Sequence, residues 1–113
     1  MAAAGLWTTA TDLAKVGVEL LQILRGKSSG IWSQETISTM FRPQPVEQTQ
    51  VTTETFGLGW MVSGDGNGFQ FFHSGWNEGF VSMMRVSASG KGVVVMLNSN
   101  EGYPLLEEIG QSM

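Results

Sequence analysis

There is no cysteine in this sequence, which removes disulfide staples and thiolate nucleophiles together and leaves the redox compartment unread. Histidine occurs once, as His73. A metal site would have to rest on that imidazole and dispersed carboxylates, a poor donor set for zinc, so neither a metal nor another cofactor is expected. Charge is scarce, at 14% of the 113 residues against 42% hydrophobic. The six basic side chains (Lys15, Arg25, Lys27, Arg42, Arg85, Lys91) are scattered under a net charge of −4. That pattern offers no footprint for nucleic acid. The apolar runs are far shorter than the ~20 residues a membrane span needs, and the opening residues do not follow the secretory-leader pattern. What remains is a globular chain the size of one domain, or a piece of a larger one.

Local signals divide it. Thr9 reads as a helix N-cap, with Asp12 three residues later suited to both a capping box and the positive helix end. Leu13, Val16, Leu20, Leu21 and Leu24 then recur at helical spacing. Arg25 suits the negative end and Gly26 a left-handed stop. Ser33 opens a shorter helix with Glu35 in its first turn and Ile37, Met40 and Phe41 as its apolar stripe. Pro43 ends it. The polar stretch that follows reads as a surface connection.

From Phe56 the period becomes two. Phe56, Leu58, Trp60 and Val62 suggest a strand, and Gly64–Gly68 a turn. Phe69 to Ser74, Phe80 to about Val86, and Gly92 to Asn98 suggest three more. Val93 to Leu97 is apolar on both faces and needs cover on each. The one evident cover is a last helix begun by Tyr103-Pro104, with Leu105, Leu106, Ile109 and Met113 on one face. The expected fold is α+β: two helices, a four-stranded antiparallel meander and a C-terminal helix on the sheet. Residues 1–45 form the helical segment, 46–55 the linker, and 56–113 the sheet plus the last helix. Trp7, Trp32, Trp60 and Trp76 read as packing residues, and Met83, Met84 and Met96 as core filler.

The stretch Phe69 to Phe80, Phe-Gln-Phe-Phe-His-Ser-Gly-Trp-Asn-Glu-Gly-Phe, carries the chemistry. A lone histidine at a strand end is commonly a hydrogen-bonded structural residue, and Ser74 by itself reads as a sheet-edge hydroxyl. It has no Gly-x-Ser-x-Gly elbow, and its neighbour His73 points to the other face of a strand. Glu107-Glu108 reads as a solvated helix face.

Gly5-Leu6-Trp7-Thr8-Thr9-Ala10-Thr11-Asp12-Leu13-Ala14, Phe56-Gly57-Leu58-Gly59-Trp60, His73-Ser74-Gly75 with Gly79-Phe80, and Gly92 to Asn98 together look familiar. In this order they resemble the C-terminal portion of the β-lactamase and penicillin-binding-protein-like serine hydrolases. That family includes class C β-lactamases, D-Ala-D-Ala carboxypeptidases and esterases. His73-Ser74-Gly75 resembles its third active-site motif, Lys-Thr-Gly or His-Thr-Gly in relatives.

The other two motifs are missing. No serine here has a lysine three residues on, so Ser-x-x-Lys is absent. Tyr-x-Asn is absent too, since Tyr103 is followed by Leu105 two positions later. The resemblance therefore implies a fragment that is inactive alone.

By the same resemblance, His73 takes the place of the motif cation, where an imidazole can serve neutral or charged. Ser74 offers a hydroxyl to a substrate carboxylate, and Gly75 leaves room for a close backbone. The Trp76 N–H is one oxyanion donor, and Asn77 lies beside the substrate. The partners implied are a small acyl substrate in the parent enzyme (a β-lactam, D-alanyl peptide or ester) and a periplasmic or extracellular setting. The reading of another class is a non-catalytic binding module, or one that self-assembles or exchanges strands through the uncovered sheet.

Overall fold

The computed structural model describes residues 5–27, 30–45 and 54–113. The chain is α+β, with α1 (Ala10–Leu24) and α2 (Gln34–Met40) preceding five strands and α3 (Tyr103–Gln111) closing them. The strands are β1 (Glu54–Phe56), β2 (Met61–Ser63), β3 (Gln70–Asn77), β4 (Phe80–Ser87) and β5 (Gly92–Leu97). They form one antiparallel sheet in chain order.

The helix starts follow their caps. Thr9 Oγ1 accepts the Asp12 N–H at 3.1 Å, and its own hydroxyl donates to the Asp12 carboxylate at 3.0 Å. With Lys15 Nζ at 2.7 Å as well, Asp12 is held below the usual carboxylate range, first by Lys15 and then by Thr9. Ser33 Oγ accepts the Thr36 N–H at 3.0 Å to start α2. Gly26 stops α1 at φ 80°, and the Arg25 guanidinium ties that end to the β4–β5 turn through the Ala88 carbonyl at 2.7 Å.

The buried stripe of α1 is rotated from the expected one. Gly17, Leu20, Leu21 and Ile23 face the sheet, whereas Val16 is exposed. Gly17 explains the rotation, because a Cβ there would stand 3.0 Å from Val86 Cγ2 and 3.2 Å from Met84 Sδ. Its lack of a side chain lets α1 close onto β4.

The sheet expected to have four strands has five. The predicted Phe56–Val62 strand is interrupted, because the Gly57 N–H donates to the Trp60 carbonyl at 2.8 Å. Gly59 takes φ 76° inside that turn. The next strand runs further than expected, through Gly75, Trp76 and Asn77. Of the linker predicted at 46–55, residues 46–53 lie outside the described residues, and β1 takes up 54 and 55.

Both sheet faces are covered over β4. On one, Phe71, Val62, Met84 and Val86 pack with Leu20, Leu21, Ile23, Ile37 and Phe41 of the first two helices. On the other, Val81 and Met83 pack with Leu106 of α3. The cover expected to be missing is thus α1, which lies across β4 and β5. On the α3 face, Arg85 sits over the Phe72 ring at 4.1 Å and donates to Gln70 Oε1 at 3.0 Å. Four expectations of burial fail: Trp7 is 92% exposed, Trp76 67% and Trp32 40%, and Met96 reaches the surface of β5. Leu105, placed on the buried side of the last helix, is exposed as well.

Candidate active-site wall on strand β3

His73, Ser74, Gly75, Trp76 and Asn77 occupy the second half of β3, opposite Met84, Met83, Ser82, Val81 and Phe80 of β4. Strand alternation sends His73, Gly75 and Asn77 to the face shared with α1 and α2, and Ser74 and Trp76 to the α3 face. His73 is exposed, with its ring edge-on to Trp60 at 6.3 Å and 87°. Ser74 is half-buried, whereas the Trp76 indole stands in solvent.

The main chain is as informative as the side chains. The Ala88 N–H donates to the Phe69 carbonyl at 2.8 Å, and the continuous register pairs Gln70 with Ser87. In an antiparallel ladder this directs the main-chain groups of Phe71, His73, Gly75 and Asn77 toward β4. Those of Gln70, Phe72, Ser74 and Trp76 point to the opposite edge. There β2 pairs with Gln70, Phe71 and Phe72 only. Beyond Phe72 no described strand covers that edge, so Ser74 and Trp76 present N–H and C=O groups to an open notch.

Local structure holds the notch. Trp60 is fixed against Phe41 at 5.8 Å and Phe71 at 5.4 Å, both edge-on. The loop carrying it is tied to α2 by the Leu58 N–H on the Met40 carbonyl at 2.7 Å. At the far end, the Glu78-Gly79 turn is pinned by Asn100, whose Oδ1 accepts the Gly79 N–H at 2.7 Å. Asn77 Oδ1 accepts the Glu78 N–H at 3.2 Å.

Trp60, Asn100 and Ser82 were not singled out from sequence as parts of this site. The Trp60 role was signalled by its motif, Phe56-Gly57-Leu58-Gly59-Trp60, while Asn100 had no signal at all. Ser82 shares the Gly75 row, and its Oγ lies 2.6 Å from where a Cβ on Gly75 would stand. A side chain at 75 would therefore have to displace that hydroxyl. Among the described residues no group of three or more His, Asp or Glu could hold a metal, and no helix is long and apolar enough to cross a membrane.

The family model described as Beta-lactamase matches residues 1–111. Among solved structures, the chain is similar to a penicillin-binding protein from Bacillus halodurans, at TM-score 0.70 and 16% identity. That match covers 94% of this chain and 31% of the other. It is also similar to the octameric penicillin-binding protein homologue from Pyrococcus abyssi, at TM-score 0.66 and 24% identity, over 91% of this chain and 24% of that one. No curated protein matches it. The chain thus spans less than a third of either structure while sharing its fold. The match over nearly its whole length shows that this chain belongs to the Beta-lactamase family.

Proposed function

We propose that this chain is the third-motif part of a β-lactamase-like serine hydrolase, and that β3 forms one wall of its acyl pocket. The observation that carries the reading is the open edge of β3, where the Trp76 main-chain N–H points away from β4 and past the end of β2. In acyl transfer a serine oxygen attacks the substrate carbonyl, and the carbonyl oxygen becomes an oxyanion. A rigid N–H aimed at that oxygen stabilises the transition state, and its loss typically costs about 100-fold or more in rate.

The other residues take roles around that donor. His73 stands at the position of the motif cation, on the face braced by Trp60, where it can hydrogen-bond the groups that pass the serine proton. The Ser74 hydroxyl flanks the edge from the other face and suits a substrate carboxylate. Gly75 keeps the backbone approachable, and Asn77 borders the notch next to the turn. The substrate class is a β-lactam, a D-alanyl peptide or a small ester. The setting that goes with it is periplasmic or extracellular.

These 113 residues hold neither Ser-x-x-Lys nor Tyr-x-Asn. The second oxyanion donor belongs to the nucleophile, so the pocket is incomplete and the chain by itself forms no acyl-enzyme. Intact-mass spectrometry after incubation with a fluorescent penicillin, and separately with a fluorophosphonate, tests this. The expected spectrum is that of the unmodified chain. A stoichiometric adduct on one of its serines would show that the chain assembles its own nucleophile.

A non-catalytic, self-assembling module is the second reading. It is favoured by the Pyrococcus abyssi homologue, which is described as octameric.

A further inference from the structure

The end of β3 is held by a side chain from later in the chain. Asn77 and Phe80 form the last pair of the β3–β4 ladder, which leaves Glu78 and Gly79 as a two-residue connection. Favoured connections of that length place Asn, Asp or Gly first, because these residues enter the left-handed region readily. Glu78 stands first here, and Gly79 takes φ 84° at the second place. The two turn residues are thus a poor match to the favoured hairpin pattern. A bond from 21 residues further on supports them, since Asn100 Oδ1 accepts the Gly79 N–H at 2.7 Å.

Asn100 is itself firmly seated. It opens a 3-10 turn, Asn100–Gly102, in which the Ser99 hydroxyl accepts the Glu101 N–H at 3.1 Å. Gly102 brings that turn close against the sheet, because a Cβ there would stand 2.7 Å from Leu97 Cδ1 and 3.3 Å from Val81 Cγ2. Val81 pairs with Trp76 across one ladder and with Leu97 across the next. The segment carrying Asn100 therefore rests on the cross-strand row of Trp76 and reaches from there to the turn just beyond it.

We propose that Asn100 is a positioning residue for the oxyanion donor, aiming the Trp76 N–H through the Glu78-Gly79 turn. This role rests on the acyl-transfer reading of β3. The Trp76 N–H faces the notch, so no ladder bond of its own fixes its direction. Its aim is set by Gly75 and Asn77, whose main-chain groups face β4, and Asn77 is the last residue of the strand to pair.

Element ends open more readily than their middles. An oxyanion donor acts at about 2.7–3.1 Å from the developing charge, and a misplacement of about 1 Å can cost on the order of 100-fold in rate. A bond that keeps the hairpin end closed thus acts on the reaction without touching the substrate.

The test combines amide hydrogen exchange with a benzylpenicillin titration of the labelled 113-residue chain, Asn100→Ala and Asn100→Asp. Asn100→Ala removes the acceptor and should speed Gly79 exchange roughly three- to tenfold, the net contribution of one hydrogen bond. The Gly90 amide, bonded to the Ser87 carbonyl at 2.9 Å in the β4–β5 turn, should keep its rate. The Trp76 and Asn77 resonances should move, and the ligand-induced shift at Trp76 should shrink about threefold or more at fixed benzylpenicillin, the same one-bond factor. Asn100→Asp keeps an oxygen at the same place and should restore both the Gly79 rate and the Trp76 response.

A Trp76 response of full size in Asn100→Ala would overturn the role of Asn100 alone. So would equal acceleration at Gly79 and Gly90, or a failure of Asn100→Asp to restore what alanine loses. No Trp76 response in the parental chain would instead remove the acyl-pocket reading, and the positioning role with it, even where Asn100 still slows Gly79 exchange.

Discussion

Replacing Phe71 with alanine should remove about 3–5 kcal/mol of stability, the range for truncating a buried aromatic residue. Phe71 is fully buried. Its ring stacks on Phe41 at 4.4 Å and 26°, meets Trp60 edge-on at 5.4 Å, and touches the Phe69 ring at 6.5 Å. Deleting it opens a cavity between the sheet and α2 that neighbours cannot fill without leaving their own contacts. A domain of this size has about 5–15 kcal/mol in all, so the variant would sit near its unfolding threshold. Urea melts should show a lower midpoint with an unaltered slope. Phe80→Ala, at an exposed position, should shift stability by no more than about 0.5 kcal/mol. Equal losses in the two variants would mean that the aromatic cluster is not the core.

Gly57→Ala should be strongly damaging for a single added methyl group. The new Cβ would lie 2.3 Å from the Met40 carbonyl oxygen and 3.3 Å from the Phe41 Cα. Both are main-chain atoms, so no side-chain rotation relieves the clash. The loop would have to lift off α2, breaking the Leu58 N–H bond to that same carbonyl. Overpacking of this kind costs about 1–3 kcal/mol, occasionally more. The consequence reaches the site, because the loop carries Trp60 and Trp60 braces His73. Gly57→Ala should lower the Tm and move the His73 imidazole resonances together. A variant with the parental Tm and an unmoved His73 would contradict the claim that Gly57 seats the loop.

How far the sequence foretold these features differs by element. Helix starts were legible because capping is local: Thr9 and Ser33 each bind an N–H three residues ahead. The length of β5 was legible from its unbroken apolar run. The interruption between β1 and β2 was not, although Gly57 and Gly59 stood in plain view. Small residues in an alternating run fit a strand and a tight turn alike. Only the contact with α2 and the positive φ of Gly59 decide between them.

Cover for the second sheet face was missed for a similar reason, since a helix stripe says how much it buries and not what it buries against. The opposed faces of His73 and Ser74 followed from period two alone. The direction of the Trp76 N–H did not, because it depends on register and on where β2 stops. The exposed tryptophans show the limit of composition: Trp7 and Trp76 have the size of core residues but lie where no described element covers them.

We propose the β3 edge from His73 to Asn77 as an acyl-substrate wall without its nucleophile. Titrating the isotopically labelled chain with benzylpenicillin and following its amide resonances tests this most directly. Reversible shifts are expected at Ser74 and Trp76, whose N–H groups face the notch, with a smaller response at Gly75 and none on α3. Resonances that stay fixed along β3 at saturating ligand, or that move only along β5 and α1, would contradict it.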